Sequence, residues 1–487
     1  MTALKKLTLL HSNDLHGDFL AKEVDKELIG GITRLSGYVS QVRKEEPNTL
    51  YCIAGDMLQG SIIDSEFLGI STIEIMNLLS PDVATVGNHE VDYGLAHLLF
   101  LERCAKFPIV NSNLYIKRPY TRLFRSHIQL KVGGMQIMFI GITTEDIIRG
   151  INSDVLGSFV NIEDAAREVG RICNAHRHID IDYTVLLTHI GFEEDKRLAA
   201  LLDPQWGVDL IVGGHTHTIL DEPAVVNDIL IVQAGVGTKQ IGRFDLTIDT
   251  DTNSTHDFSW QLIHITEENC PVDKDMERTI ARFKEETDAK YDRVICHFAH
   301  ELTHPDRYEE TELGNLVSDI LRNHLGVDIM MVGSGSIRKT SISTVMTLLD
   351  LQELFPYDDK VKQITVTGKQ FRQMLAYVFR DEMFDKDHTE FYQYSTGSRI
   401  VYDRVKKDFS VLELDGKPIE DDALYTVGLQ EFHYINFGDF FGFSIDEALT
   451  NAPSRVITTS IHDVLVESLS SALTVDAQVE GRIIVKE

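Results

Sequence analysis

Short apolar, β-rich runs alternate with amphipathic stretches through the first half of the chain, and the runs share one ending. "NTLYCIAGD" (48–56), "PDVATVGNHE" (81–90), "DYTVLLTHIG" (182–191) and "VDLIVGGHTHT" (208–218) are each a block of β-branched and apolar residues that breaks into Gly, Asp, Asn or His. The opening "LTLLHSNDLHG" (7–17) has the same form. Each predicts a buried strand that stops at a polar loop. Between them, "YGLAHLLFLERCAKF" (93–107) and "EDAAREVGRICNAH" (163–176) carry apolar residues at helical spacing. "HIQLKVGGMQIMFIGI" (127–142) predicts a hairpin that turns at Gly133 and Gly134. The mixture predicts an α/β domain with substantial antiparallel content.

The texture changes near residue 272. "VDKDMERTIARFKEETDAKYD" (272–292) is charged, helical and poor in apolar positions, as a connecting helix would be. A second α/β pattern follows, without polar clusters at its strand ends. The expected organisation is a first domain over 1–265, a linker helix over 266–292 and a second domain over 293–487. A chain of 487 residues is too long for one ordinary core, which agrees.

Composition narrows the function. Apolar residues make up 43% and charged residues 25%, both ordinary for a globular protein. The formal net charge of −30 is not ordinary, and it repels nucleic acid and anionic membranes, so neither is expected as a partner. An anionic substrate would need local cations to overcome that field. No apolar run reaches the ~20 residues that span a bilayer, and no secretory leader is apparent, so a cytoplasmic location is expected. Five scattered cysteines, with no C-x-x-C, read as reduced core thiols.

Five strand ends in the first half finish in potential metal ligands: Asp14 and His16; Asp56; Asn88 and His89; His189; His215 and His217. One D-x-H alone reads as a turn, because Asp, Asn and Gly are ordinary turn residues. Five such endings converge on one rim, since open α/β sheets bind ligands beyond the carboxyl ends of their strands. The donors are oxygen and imidazole without thiolate, which suits Mn²⁺, Zn²⁺, Fe²⁺ or Co²⁺. They outnumber the needs of one ion. Two divalent ions ~3.5–4 Å apart are an arrangement for in-line attack on phosphorus. No G-x-S-x-G elbow marks a covalent nucleophile.

In order and spacing, "NDLHG", "GD", "GNHEVDYG", "H" and "GGHTH" resemble the calcineurin-like metallophosphoesterases. The whole chain is similar to their two-domain 5′-nucleotidase family, which includes UDP-sugar hydrolases and 2′,3′-cyclic phosphodiesterases. The resemblance implies an N-terminal β-sandwich flanked by helices, a linker helix and a C-terminal α/β substrate domain. It implies that Asp14, His16 and His217 hold one metal, that Asn88, His189 and His215 hold a second, and that Asp56 bridges. His89 would face the phosphoryl group, oriented by Asp92, with Glu90 as support.

In the second half, "MVGSGSIRKT" (331–340) is similar to a Gly-rich family segment that puts Arg338 on phosphate or ribose. "TEFYQYSTG" (389–397) would present Phe391 as a stacking aromatic. "FHYINFGDFFGF" (432–443) would hold ribose hydroxyls with Asp439. The pattern departs where six residues before Asp439 stands His433, between Phe432 and Tyr434. "TELGNLVSDILRNHL" (311–325) reads as a core helix. His297, His300 and His304 read as an exposed strand or loop rather than a third metal site. The implied activity is hydrolysis of nucleotide phosphoesters. The alternatives are a nucleotide-sugar pyrophosphatase or cyclic phosphodiesterase on the same site, and a catalytically silent binding protein on this fold.

Overall fold

The computed structural model describes residues 4–24, 27–116, 121–144, 161–384, 389–472 and 474–486. The chain divides into two compact units, Met1–Thr287 and Asp288–Glu487.

The first unit is built on two sheets. In one, Leu4–Ser12 pairs in parallel with Thr49–Ala54, which pairs in parallel with Val83–Thr85. Gln240–Asp249 and Ser254–His264 add antiparallel neighbours on the other side of Leu4–Ser12. In the second, Met135–Thr143, Tyr183–His189, Leu210–Val212 and Ile229–Val232 run parallel, with antiparallel strands His127–Val132 and Ala224–Val226 at the edges. The expected hairpin is present, and Gly133 and Gly134 turn it at φ 56° and 75°.

Alternation along the strands explains the layering. Leu7, Leu9, Leu50, Cys52 and Ala54 pack with Phe139, Val185, Leu187, Leu210 and Val212 into a core between the sheets. The alternate residues, Leu10, Tyr51, Ile53 and Ala84, face the helix Ile32–Glu45, which contributes Leu35, Val39 and Val42. On the other outer face, Ile140, Ile142 and Leu186 pack on the helices Ile162–His176 and Phe192–Leu201. Both sheets are thus buried on two sides, and the sandwich is flanked by helices.

The charged helix Lys274–Tyr291 buries Met276, Ile280 and Phe283 in the first unit's core. Its few apolar positions share one stripe, and that stripe docks it.

The second unit holds a mixed five-stranded sheet ordered Tyr392–Tyr394, Ile329–Gly333, Leu424–Gln430, Val361–Thr367, Arg455–Thr458. The helix Glu312–Leu325 buries Leu313, Leu316, Val317 and Leu321 beside it, and Thr311 caps its first turn by accepting from the Gly314 N–H. No helix among the described residues is long and apolar enough to cross a membrane.

Candidate metal centre

Every donor in the first unit sits at or just beyond the carboxyl end of a parallel strand. Asp14 and His16 follow Leu4–Ser12, Asp56 follows Thr49–Ala54, and Asn88 and His89 follow Val83–Thr85. His189 ends its own strand, and His215 and His217 follow Leu210–Val212. The loops turn so tightly that Asp14, His16, Asp56, His215 and His217 take φ of 51°, 48°, 51°, 80° and 53°. Residues with a Cβ adopt this left-handed region at a cost of about 1 kcal/mol or more each, and such strain collects at functional sites.

The turns bring the donors together in three overlapping groups: Asp14, His16 and His217; His16, Asp56 and His89; Asp56, His189 and His215. Asp14 Oδ1 lies 3.4 Å from His217 Nε2 and 3.8 Å from His189 Nε2. Asp56 Oδ2 lies 3.0 Å from His189 Nε2 and 3.8 Å from His16 Nε2. Asn88 joins through its Oδ1, 2.8 Å from His215 Nδ1. Two imidazole nitrogens, of His16 and His217, stand 3.1 Å apart.

Partners behind the donors fix their directions. His189 Nδ1–H donates to the Ala54 carbonyl at 2.8 Å, which leaves Nε2 facing the carboxylates. Asp14 Oδ2 accepts from Asn13 Nδ2 at 2.7 Å and from the His215 N–H at 3.0 Å. The fully buried Glu90 accepts backbone N–H groups from Gly87, from Asp56 at 3.0 Å, from Met57 at 2.7 Å and from Leu58 at 3.3 Å. One carboxylate therefore ties the Asp56 loop to the Asn88 loop. A Cβ on Gly87 would stand 2.2 Å from Asp56 Oδ1, so only glycine lets the loops approach this closely.

The electrostatics call for cations. Burial opposes a charge on His189, yet Asp56 and Asp14 outweigh it and raise its pKa to about 9. Burial likewise opposes ionisation of Asp56, but His189 and His89 hold it below the usual carboxylate range. His189 Nε2 is buried beside Asp56 without a hydrogen bond of acceptable geometry. A ring nitrogen and a carboxylate oxygen turned to one point, 3.0 Å apart, suit a shared divalent ion. The Asp, His and Asn donor set fits Mn²⁺, Fe²⁺, Co²⁺ or Zn²⁺. His89 differs from its neighbours. Its hydrogen bond to Asp92, Nδ1 to Oδ2 at 2.6 Å, outweighs burial and raises its pKa to about 9.

In the second unit a cavity of about 290 Å³ is lined by Arg307, Arg338, Tyr357, Asp359, Phe432 and His433, with Glu390 and the Gly335–Ser336 turn. Arg338 lines this cavity and donates to the Tyr357 hydroxyl at 3.0 Å. Two expectations are corrected. Phe391 is 1% exposed and packs against Phe379 in the core, so it presents no stacking face. Residues 391–395 are all buried, which leaves this segment no outward side. Asp439 is exposed on the short helix Phe437–Phe441 and does not line the cavity, because the chain re-enters a helix after Asn436. Phe432, 55% exposed, lines the cavity together with Tyr357.

Sequence reasoning missed Tyr357, Asp359, Glu390 and Arg307. Nothing in their spacing marks Tyr357, Asp359 or Arg307, whereas Glu390, like Phe432 and His433, stood in a segment already singled out. None of the three donor groups found among the described residues includes a second-half histidine. His300 lies between Glu312, at 3.1 Å, and Asp476, at 3.3 Å. His304, expected to be exposed, is buried and bonds Thr311 at 2.7 Å.

Comparison with known proteins agrees with this geometry. Residues 7–218 match the family model for calcineurin-like phosphoesterases, and residues 294–443 match that for the 5′-nucleotidase C-terminal domain. A Mus musculus 5′-nucleotidase is 27% identical, across 98% of this chain and 90% of its own length. A Naja atra snake venom 5′-nucleotidase is 27% identical across 82% of this chain and 83% of its own. Among solved structures, a 5′-nucleotidase precursor from Thermus thermophilus superposes with a TM-score of 0.70 at 26% identity, covering 99% of both chains.

Proposed function

The chain belongs to the 5′-nucleotidase family of calcineurin-like phosphoesterases, hydrolases of phosphoester bonds, and from that premise we propose that it cleaves nucleoside 5′-monophosphates at a pair of divalent ions. Asp14, His16 and His217 would hold one ion, Asn88, His189 and His215 the other, and Asp56 would serve both. The observation that carries this reading is the place of Asp56 in two three-donor groups, 3.0 Å from His189 and 3.8 Å from His16. When bound, divalent ions neutralise phosphoryl charge and lower the pKa of water towards ~7, so that hydroxide is available at neutral pH.

The protein's own side chains supply the rest. Protonated His89, its Nδ1–H held by Asp92, has its Nε2–H left to donate to a phosphoryl oxygen as negative charge grows there. What sets His89 apart from the ligands, although its ring lies in one of the donor groups, is its bond to Asp92, a carboxylate outside all three groups. Glu90 and Asn13 keep the donor loops in place, so little reorganisation is needed as the reaction proceeds. In the second unit, the Phe432 ring, the Tyr357 hydroxyl and the Arg338 guanidinium are suited to a nucleoside: one aromatic face, and polar groups for sugar or phosphate. The five cysteines are free thiols, which supports a reducing, cytoplasmic setting.

The test is phosphate release from AMP, GMP, CMP and UMP by chelator-stripped protein, before and after adding Mn²⁺. Release that appears with Mn²⁺ and vanishes with chelator is expected. Tight Mn²⁺ binding without hydrolysis of any nucleotide, nucleotide sugar or 2′,3′-cyclic ester would make the chain a binding protein instead.

A further inference from the structure

Away from the donors, one fully buried carboxylate has no part in the proposed reaction. Asp195 lies in the first turn of the helix Phe192–Leu201, at 0% exposure. Its Oδ1 accepts from Thr188 Oγ1 at 2.6 Å, and its Oδ2 accepts from Gln233 Nε2 at 2.9 Å. Neither partner is a cation, and a buried ionised group held only by neutral donors is expensive. An apolar residue would suit a plain core position better.

Both partners lead to the donor loops. Thr188 directly precedes His189 at the end of its strand. Gln233 follows the strand Ile229–Val232, and its Oε1 accepts from the Thr218 N–H at 3.3 Å, beyond His217. The loop itself rests on the carboxylate, since a Cβ on Gly213 would stand 2.1 Å from Asp195 Oδ2. The start of the helix adds two more ties to the same loop: Gly191 N–H donates to the Gly214 carbonyl at 3.1 Å, and Phe192 N–H to Thr216 Oγ1 at 3.1 Å.

We propose that Asp195 is a positioning residue of the metal centre, which fastens the strand end carrying His189 to the Gly213–Thr218 loop carrying His215 and His217. Three donors from two separate segments then keep one fixed spacing whether or not cations are bound. This rests on reading the cluster as a metal site.

The pair Asp195 and Gln233 permits a test by exchange. Asp195→Asn turns an amide donor towards the amide donor of Gln233, and Gln233→Glu turns a carboxylate towards a carboxylate. The double variant Asp195→Asn/Gln233→Glu restores one donor and one acceptor with the charge moved across, and the amide oxygen it places at position 195 still accepts from Thr188. Mn²⁺ binding to the chelator-stripped full chain is measured by calorimetry, with circular dichroism and melting of the stripped protein alongside. Each single variant should bind Mn²⁺ about 10–100-fold more weakly, as losses behind metal ligands do, and the double variant should return to within about twofold of the wild type. A folded Asp195→Asn protein with wild-type affinity overturns the proposal. So does a folded double variant as weak as the singles. If Asp195→Asn does not fold, the double variant decides alone. Failure of the unaltered chain to bind Mn²⁺ would instead overturn the metal-centre reading.

Discussion

In Met1–Thr287 most of the reactive groups are short side chains on strained loops, several of them backed by a second buried group. In Asp288–Glu487 the cavity groups are long side chains with open faces. Asp14 and Asp56 are almost wholly buried and sit on backbone at φ 51°, whereas Tyr357 and Phe432 are 49% and 55% exposed. The contrast follows from what is being bound. A cation needs several donor atoms at about 2 Å, and that tolerance is met only by loops that are overdetermined. A nucleoside needs area and a few hydrogen bonds, which many side chains supply from many backbone positions. The first region should therefore fail abruptly when altered, and the second gradually.

The largest effect is expected at Asp56. Asp56→Ala removes the carboxylate common to two donor groups and should lower kcat/KM by about 10³-fold or more, together with bound metal per chain. Metal analysis after gel filtration checks the second half. Undiminished metal content would show that the two groups do not depend on Asp56, and the contrast between the regions would weaken. His89→Ala should behave differently within the same region. It should keep its metal and lose about 10²–10³-fold in kcat. Loss of metal from that variant would reassign His89 as a ligand.

The next effect separates the regions. Phe432→Ala removes an exposed face and should raise KM about tenfold, the worth of one stacked base, with the melting temperature nearly unchanged. Phe391→Ala should do the reverse, destabilising the second unit by about 3–5 kcal/mol with little change in KM for the protein that stays folded. A KM effect at Phe391 without loss of stability would restore the stacking role the family pattern suggested.

That reversal shows what was legible in the chain. The donors were readable because coordination allows few residue types, and because each had to stand where an apolar strand stops. "GGHTH" carries both facts on its face. The sandwich was less so: the runs predicted only an α/β domain, and the two-sheet layering came with the family resemblance. In the structure Leu7 and Leu9 pack in one layer and Leu10 in another. Nothing comparable constrains the cavity. Phe391 precedes a strand buried on both sides, and Phe379 takes its ring into the core. Asp439 fails by one position. Phe432, which lines the cavity, stands seven residues earlier rather than six, and Asp439 is exposed on the following helix, Phe437–Phe441. Asp195 was invisible because Thr188 and Gln233 are ordinary in type, and Gln233 is also distant in sequence.

The last effect concerns acid. His433 is 2% exposed, its Nδ1 has no hydrogen-bond partner, and burial lowers its pKa to about 4. Its unfolded value is ~6.5. Between those limits the unfolded chain binds the proton and the folded one does not, so stability is intact above pH ~6.5 and is lost as pH falls towards 4. His433→Phe keeps the ring among Tyr392, Phe432 and Phe440 and removes the titration. It should recover about 2 kcal/mol at pH 4.5 relative to its own effect at pH 7.5. The first unit holds a comparable group, His11, buried against Trp260 and lowered by burial to about 3. Both tryptophans, Trp206 and Trp260, also lie in that unit. Tryptophan fluorescence thus follows the first unit, and calorimetry follows both. The His433 variant should move the calorimetric transition at pH 4.5 and leave the fluorescence transition where it was. A shift in both would mean that the two units unfold as one, and that the contrast between them does not extend to stability.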